Sequence, residues 1–476
     1  MTTSTYPGAT DPTRYTVPPA TEELARFATE LSYDDIPADV LNIAREQAVA
    51  TIGSCLSGNH MAAMASMANG MGILGSGEVA TVFGRAERVP APTAALYNAG
   101  TAQVIEWDDW VIISHSGGAV VPTAFAAGEQ ARVSGKEILT SIVLGDEVNA
   151  RTSRAIQRGA YVGNSMPNHQ IETALMAARL FGCDVTETRC AVGLSAFLAM
   201  ENCPIGWTSD SKVLINGLPA MWGIVSASLA KAGLRANQEI IEHPAGFMST
   251  VSEEVDAQEL VFGLGTEWHT RTLNTKRHPS CAYNLPAIEC AIALHDRIPG
   301  FDPARVKSIV VHGPGVTAYV AARYQAVEPS LYEAVRDKRY SHVPLCFDAG
   351  FATVASLADG ELTWRQYQDE RIFSPEIQRL AALVSFRTDA AMHRAYYSDY
   401  QYGARVVLTM DDGQQYVEER LQLLGARDRP YDHAEKFREG AEGILSNAQA
   451  EEALAALRSL DTVDDIREVA ALLRPY

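Results

Sequence analysis

Residues 191–200 read Ala-Val-Gly-Leu-Ser-Ala-Phe-Leu-Ala-Met. The stretch is apolar nearly all round. A helix of that kind needs cover on every side, so it belongs inside a large bundle or against a second subunit. The flanking text repeats the theme. Hydrophobic periodicity predicts helices over 94–105, 119–133, 137–158, 171–181, 186–200 and 218–233. Upstream, Thr21-Glu22-Glu23 offers a cap and an acidic first turn. A second helix begins near Ile36-Pro37, with Val40, Leu41, Ala44, Ala48 and Ile52 on one face. Met61, Met64, Met67 and Met71 form a stripe that reads as a packed core face.

The pattern changes after about residue 272. Arg305–His312, Ala382–Arg387 and Arg405–Thr409 alternate like strands, and Asp412-Gly413 turns the chain into Gln414–Arg420 as a hairpin. Helices are predicted between them near 283–296, 347–358 and 375–382, the last with a Ser374-Pro375 start. The final 45 or so residues return to helix, with Thr462 as a cap. The fold expected is mainly α. Residues 1–20 form a flexible arm, 21–272 a helical domain to which 423–476 return, and 273–422 a smaller α+β domain.

The 476 residues carry 39 Lys and Arg against 58 Asp and Glu, a net charge of −19. So acidic a surface argues against nucleic-acid or anionic-membrane binding. An anionic small substrate stays open, because a few buried cations dominate one pocket. A 47% hydrophobic and 20% charged composition excludes a disordered or fibrous chain. Seven cysteines, with no C-x-x-C, speak against a disulfide framework or structural zinc and predict a reducing, cytoplasmic setting. The N-terminus lacks the basic start and apolar run of a signal peptide, and no membrane span of about 20 apolar residues is predicted.

Three segments concentrate chemistry. Glu106-Trp107-Asp108-Asp109-Trp110 leads to Ser114-His115-Ser116-Gly117-Gly118 in a connection between two helices. Its carboxylates and histidine suit acid–base work, since imidazole titrates near neutrality. Capping of helix ends, with His115 packed, is the competing reading. Asp210–Gly217 is a short polar stretch containing Lys212, which suits a substrate carboxylate or, if desolvated, a base; a surface turn is the alternative. Asn274–Tyr283 gathers Lys276, Arg277, His278 and Cys281 at the predicted domain junction, where small ligands commonly bind. Cys281 becomes a proton carrier if Lys276 or Arg277 lowers its pKa; the bland reading is a linker with one buried cysteine. Other signals are weak. Gly75-x-Gly77-x-x-Ala80 has no preceding strand, the helix-face trio Arg151, Arg154 and Arg158 reads as a solvated stripe, and Glu106, Asp108 and Asp109 lack further oxygen ligands for a hard cation.

The stretch from Val79–Gly84 through Val89-Pro90-Ala91-Pro92, then Asn98–Pro122, resembles the MmgE/PrpD family of 2-methylcitrate dehydratases and cis-aconitate decarboxylases. Lys212-Val213-Leu214 with Asn216-Gly217, Lys276–Cys281, Asp359-Gly360, Phe373–Ile377 and Asp411-Asp412-Gly413 follow in the family's order, from about residue 20 onward. The resemblance implies a large all-α domain built from both chain ends with an inserted α+β lid. It also implies a homodimer, no cofactor or metal, and a site between domain and lid for a small carboxylate. Family members are lyases of small polycarboxylic acids, with an epimerase among relatives. His115, Lys212 and Lys276 match the motif histidine and lysines. Four places depart. Histidine becomes Gln103, aspartate becomes Glu106 and threonine becomes Trp110; the loop before His115 is about one residue shorter; a Phe-His-Pro expected near 162–164 reads Val162-Gly163-Asn164, with His169 nearby; and Cys281 stands where decarboxylases carry histidine.

The resemblance therefore predicts lyase chemistry through a proton moved next to a carboxylate. Catalytic candidates are His115, Lys212, Glu106 and Cys281; substrate-binding candidates are Lys276, Asp109, Gln103, Trp110 and His278. Glu106 reaches about 1.5 Å further than aspartate. An isomerase or epimerase pairing Cys281 with His115 is the second expectation, and a non-catalytic ligand-binding scaffold the third.

Overall fold

A computed structural model describes residues 18–156, 166–200, 203, 206–207, 209–252, 255–318 and 331–475. Most of the predicted arm, Arg158 and the 162–164 motif lie outside the described residues. The fold is mostly α-helical with small sheets. Its first part contains α1 (Ala20–Glu30), α2 (Ala38–Gly58), α3 (Ala62–Gly70), the short strands β1 (Ala80–Thr81) and β2 (Arg88–Val89), α4 (Ala91–Gln103), α5 (Gly117–Ala131), α6 (Gly135–Ala155), α7 (Met166–Leu180), α8 (Val185–Ala196) and α9 (Leu214–Lys231). Helices α4, α5, α7 and α9 pack on one another. Their shared core is built largely of alanine, including Ala94, Ala95, Ala99, Ala126, Ala177, Ala220 and Ala227, all at most 1% exposed. Small side chains let helix axes approach closely, which explains why these helices are apolar on several faces.

The stretch that opened the sequence reading is only partly covered. Helix α8 ends at Ala196, and Phe197 and Leu198 are 76% and 55% exposed. Among the described residues, Asp210–Lys231 is long and apolar enough by composition to cross a membrane, and 61% of its most apolar 18-residue window is buried in the fold, as in a core helix. Met61, Met64 and Met71 are buried in the core, with Met67 packed against them.

The second part holds a four-stranded sheet in the order β7-β6-β8-β9, with β6 at Val306–Gly313, β7 at Val384–Thr388, β8 at Ala404–Met410 and β9 at Gln415–Arg420. β6 runs parallel to β7 and antiparallel to β8. Burial alternates along β8, so one sheet face is covered, and helix Leu285–Arg297 lies against β8 and β9. The C-terminal helix His433–Ala441 crosses back onto α2, so tightly that a side chain at Gly440 would strike the Gly53 backbone.

Some local expectations change. Thr21 lies inside α1, buried, and donates to Glu242 Oε2 instead of capping. Thr462 ends a short turn, and Asp465 caps the last helix, Ile466–Ala471. Arg151, predicted as solvated, is 1% exposed and donates to the carbonyls of Phe262, Gly263 and Glu267. The connection after α4 contains a hairpin, β3 (Asp109–Val111) and β4 (Ser114–His115), and β3 also pairs with β5 (Asn274–Thr275).

Candidate active site

That small sheet assembles the site. Its register sets Trp110 opposite His115 and Asp109 opposite Thr275. Cross-strand partners share a face, so Trp110 and His115 stand side by side. The residue after β5 is Lys276, whose N–H donates to the Asp108 carbonyl at 3.3 Å. Two segments over 150 residues apart are thus locked together before any side chain is considered. The third segment arrives from the short turn Asp210–Val213 ahead of α9, which presents Lys212.

The side chains form one buried chain of charge. Lys212 pairs with Glu106 Oε1. Lys276 Nζ lies 2.6 Å from Glu106 Oε2 and 2.8 Å from Asp108 Oδ1. Asp108 Oδ2 lies 2.5 Å from His115 Nδ1. Gln103, with its amide nitrogen toward Asp108 Oδ2 at 2.7 Å, accepts from Lys212 Nζ through its oxygen at 2.9 Å. Burial alone would raise the pKa of Glu106, but Lys212 and then Lys276 outweigh it and hold the carboxyl at about 2. Burial is likewise outweighed at Asp108, by His115 and Lys276, which keep it ionised. For Lys276 burial is opposed by Asp108 and Glu106, which raise its pKa. His115 and Cys281, each 8% exposed, are the most accessible members.

The other sequence candidates fall around this chain. Asp109 accepts from Gly117 N–H at 2.6 Å and Thr51 Oγ1 at 3.3 Å, and so anchors the start of α5. The paired glycines are required here. A side chain at Gly117 would strike Asp109 and Thr51, and one at Gly118 would strike Asn216. Trp110 is 2% exposed and packs edge-on against Tyr402 at 5.6 Å. Cys281 is not activated as the sequence allowed: burial, then the Glu106 charge, push its thiol up to about 12. It is a neutral thiol and not a thiolate. His278 is half-buried and bonds the Leu362 backbone, with its pKa pushed down to about 3 by burial and Arg277.

Several supporting residues escaped the sequence reading. Asn149 Nδ2 donates to the His115 carbonyl at 2.6 Å, and Asn168 Nδ2 to Ser114 Oγ at 3.1 Å. Ser116 Oγ donates to Asp146 at 2.5 Å. Asp146 and Asn149 lie in α6 among other polar and charged residues, including Glu147 and Arg151, so the sequence did not set them apart. His169 is fully buried and paired with Glu172 at 2.6 Å. Lys436, 1% exposed, donates to the Trp107 carbonyl at 2.6 Å and lies 5.0 Å from that indole's centroid. Burial lowers its pKa to about 7 against the pull of Asp109 and Asp108. Between that value and the unfolded lysine value the unfolded chain binds the extra proton, so this group adds stability as pH rises through that window. Lys436→Met should remove the rise, as read from urea unfolding between pH 7 and pH 10; an unchanged slope would contradict the assignment.

Comparison with known proteins meets this geometry. The MmgE/PrpD N-terminal domain model matches residues 22–260 and the C-terminal domain model residues 278–462. The chain belongs to the MmgE/PrpD family. Among its relatives in that family is cis-aconitate decarboxylase-like protein oryM of Aspergillus oryzae, 23% identical over 95% of this chain and 97% of the relative. Cis-aconitate decarboxylase of Aspergillus terreus is 23% identical over 95% of each chain. The human cis-aconitate decarboxylase is 24% identical over 83% of this chain and 82% of its own. The family and these relatives are lyases. In this MmgE/PrpD chain Glu106, Asp108 and His115 also bring donor atoms within 4.8 Å of one another, as a metal set would. Both carboxylates are already paired with lysine ammonium groups.

Proposed function

We propose that this chain is a cofactor-independent lyase, a dehydratase of 2-methylcitrate type or a cis-aconitate-type decarboxylase, that moves a proton next to a carboxylate of a small polycarboxylic acid. The observation that carries this is the His115–Asp108 pair set beside two buried lysines. With Nδ1–H donating to Asp108, the neutral imidazole keeps its lone pair on Nε2, which has no hydrogen-bond partner among the described residues. His115 is then the base, and Asp108 steadies the imidazolium that forms. An ammonium has three N–H donors. Lys212 uses two of them on Glu106 and Gln103, and Lys276 two on Glu106 and Asp108. One donor on each remains for a substrate carboxylate, where it offsets the charge of the enediolate as the proton leaves. Cys281 keeps its proton in the resting site and is the partner assigned to the second proton transfer once the charge of the bound substrate changes. Glu106 stays ionised between the lysines and serves as their counter-charge, not as an acid.

The segment 273–422 is read as a lid over this site, closing to exclude water. The exposed Phe197, Leu198 and Ile73 favour a homodimer that covers them. Free cysteines throughout fit a cytoplasmic protein. Purified protein incubated with candidate acids in heavy water tests the reading. A lyase yields a product lighter by water or carbon dioxide; deuterium uptake without mass loss would indicate an isomerase using His115 and Cys281; no change with any acid would reject the proposal. Because ammonium groups already neutralise the carboxylates, dialysis against a chelator should leave turnover unchanged, whereas a loss restored by a divalent cation would contradict this.

A further inference from the structure

We propose that Asp146 and Asn149 are positioning residues for the base: from one face of α6 they grip the backbone on both sides of His115 and so fix where its ring points. This rests on the proton-transfer reading above and deepens it. The two residues stand three apart in α6, so their side chains leave the same helix face. Both are fully buried. Asn149 Nδ2 donates to the His115 carbonyl at 2.6 Å, and Asp146 Oδ1 accepts from Ser116 Oγ at 2.5 Å. Gln47 Nε2, from α2, holds the same Asp146 oxygen at 3.0 Å. One residue before His115, Ser114 Oγ accepts from Asn168 Nδ2 of α7 at 3.1 Å. Three consecutive residues of one connection are therefore each tied by a side chain to a helix beneath.

The bond to Ser116 displaces another. Ser116 is the residue before α5, where a serine hydroxyl ordinarily caps the first N–H groups of a helix. Here it makes no such bond. Asp109 Oδ1 takes over the Gly117 N–H at 2.6 Å, and the hydroxyl turns to Asp146 instead. A buried anchor diverted from its local use acts on the backbone that it holds. That backbone carries His115, whose ring has one hydrogen bond among the described residues, the 2.5 Å contact of Nδ1 with Asp108 Oδ2. A reacting group misplaced by about 1 Å loses on the order of a hundredfold in rate. Burial, and then the charge of Asp109, push the Asp146 carboxyl well above the usual carboxylate range. Asparagine is then its nearest mimic, since it keeps an acceptor for Ser116 and brings no charge.

The test uses Asp146→Leu, Asn149→Leu, the conservative Asp146→Asn, and Ser116→Ala, which removes the Asp146 bond from its other end. Turnover and deuterium exchange are measured on whichever of cis-aconitate and 2-methylcitrate the wild type converts, and are normalised to folded protein by circular dichroism. The leucine variants and Ser116→Ala should lose about tenfold to a hundredfold in kcat and in exchange. KM should change little, because the lysines hold the substrate. Asp146→Asn should restore most of the rate. With isotope-labelled histidine, the ring resonance assigned to His115 by its loss in His115→Asn should move in the leucine and alanine variants and stay in place in Asp146→Asn. Wild-type kcat in Ser116→Ala and Asn149→Leu, an Asp146→Asn as slow as Asp146→Leu, or an unmoved resonance overturns the inference. If the leucine variants do not fold, Ser116→Ala and Asp146→Asn carry the same comparison. A wild type that neither converts these acids nor exchanges deuterium defeats the proton-transfer reading instead, and the resonance still decides whether α6 sets the ring.

Discussion

Lys276→Met is expected to destabilise the fold by about 3–5 kcal/mol and to abolish turnover. Lys276 is 1% exposed and bonds both Glu106 and Asp108. Without it two carboxylates face each other in the interior with Lys212 as their remaining nearby ammonium, and breaking a buried ion pair costs far more than the pair contributes against an apolar replacement. The loss has a pH signature. Glu106 titrates at about 2 in the folded chain, below its ordinary value of 4.5. Its depressed pKa gives stability that is fully present above pH 4.5 and is lost as pH falls toward 2. The gap between wild type and Lys276→Met should therefore be widest at neutral pH and shrink through that acidic window. Urea unfolding at pH 7 and pH 3 reads both numbers. A difference below about 1 kcal/mol, the range of a surface pair, would mean that the cluster is solvated.

His115→Asn is expected to lower kcat by about 10²–10⁴-fold, the usual contribution of a positioned base, with the fold intact. His115 lies at the accessible end of the charge chain, and its ring is held through Nδ1 alone among the described residues. Asparagine keeps a polar group toward Asp108 but cannot accept a proton at the site of Nε2. Deuterium exchange into the substrate should fall with kcat, while substrate binding, which rests on the lysines, changes little. Equal loss of binding and exchange would make His115 a binding group instead of the base.

Much of this site was legible because its residue types are conspicuous. Carboxylates, a histidine and paired glycines together in one connection mark Glu106–Gly118, and the glycines prove to be places where Asp109, Thr51 and Asn216 leave no room. The helices were legible from periodicity, since long segments average over local exceptions. The hairpin at Asp109–His115 was not, because strands of two or three residues carry no alternation to detect. Arg151 misled for a different reason. Charge on a helix face normally means solvent, but here carbonyls of the 262–267 loop enclose the guanidinium. Lys436 was invisible because it bonds a carbonyl 329 positions away. Side chains that support a site from beneath are chosen by tertiary geometry, and local sequence holds no trace of that. The thiol of Cys281 shows the same limit: neighbouring cations suggested activation, while its burial and the Glu106 charge gave the opposite shift.

The central claim is that Lys212, Lys276 and His115 share one organic anion. A crystal structure of the protein soaked with a non-reactive polycarboxylate tests it most directly. The account predicts carboxylate oxygens about 3 Å from Lys212 Nζ and Lys276 Nζ, with His115 Nε2 facing the adjacent carbon. An anion seated instead in the 910 Å³ cleft beside Ile112, Arg154 and Arg427, with the three side chains untouched, would contradict it.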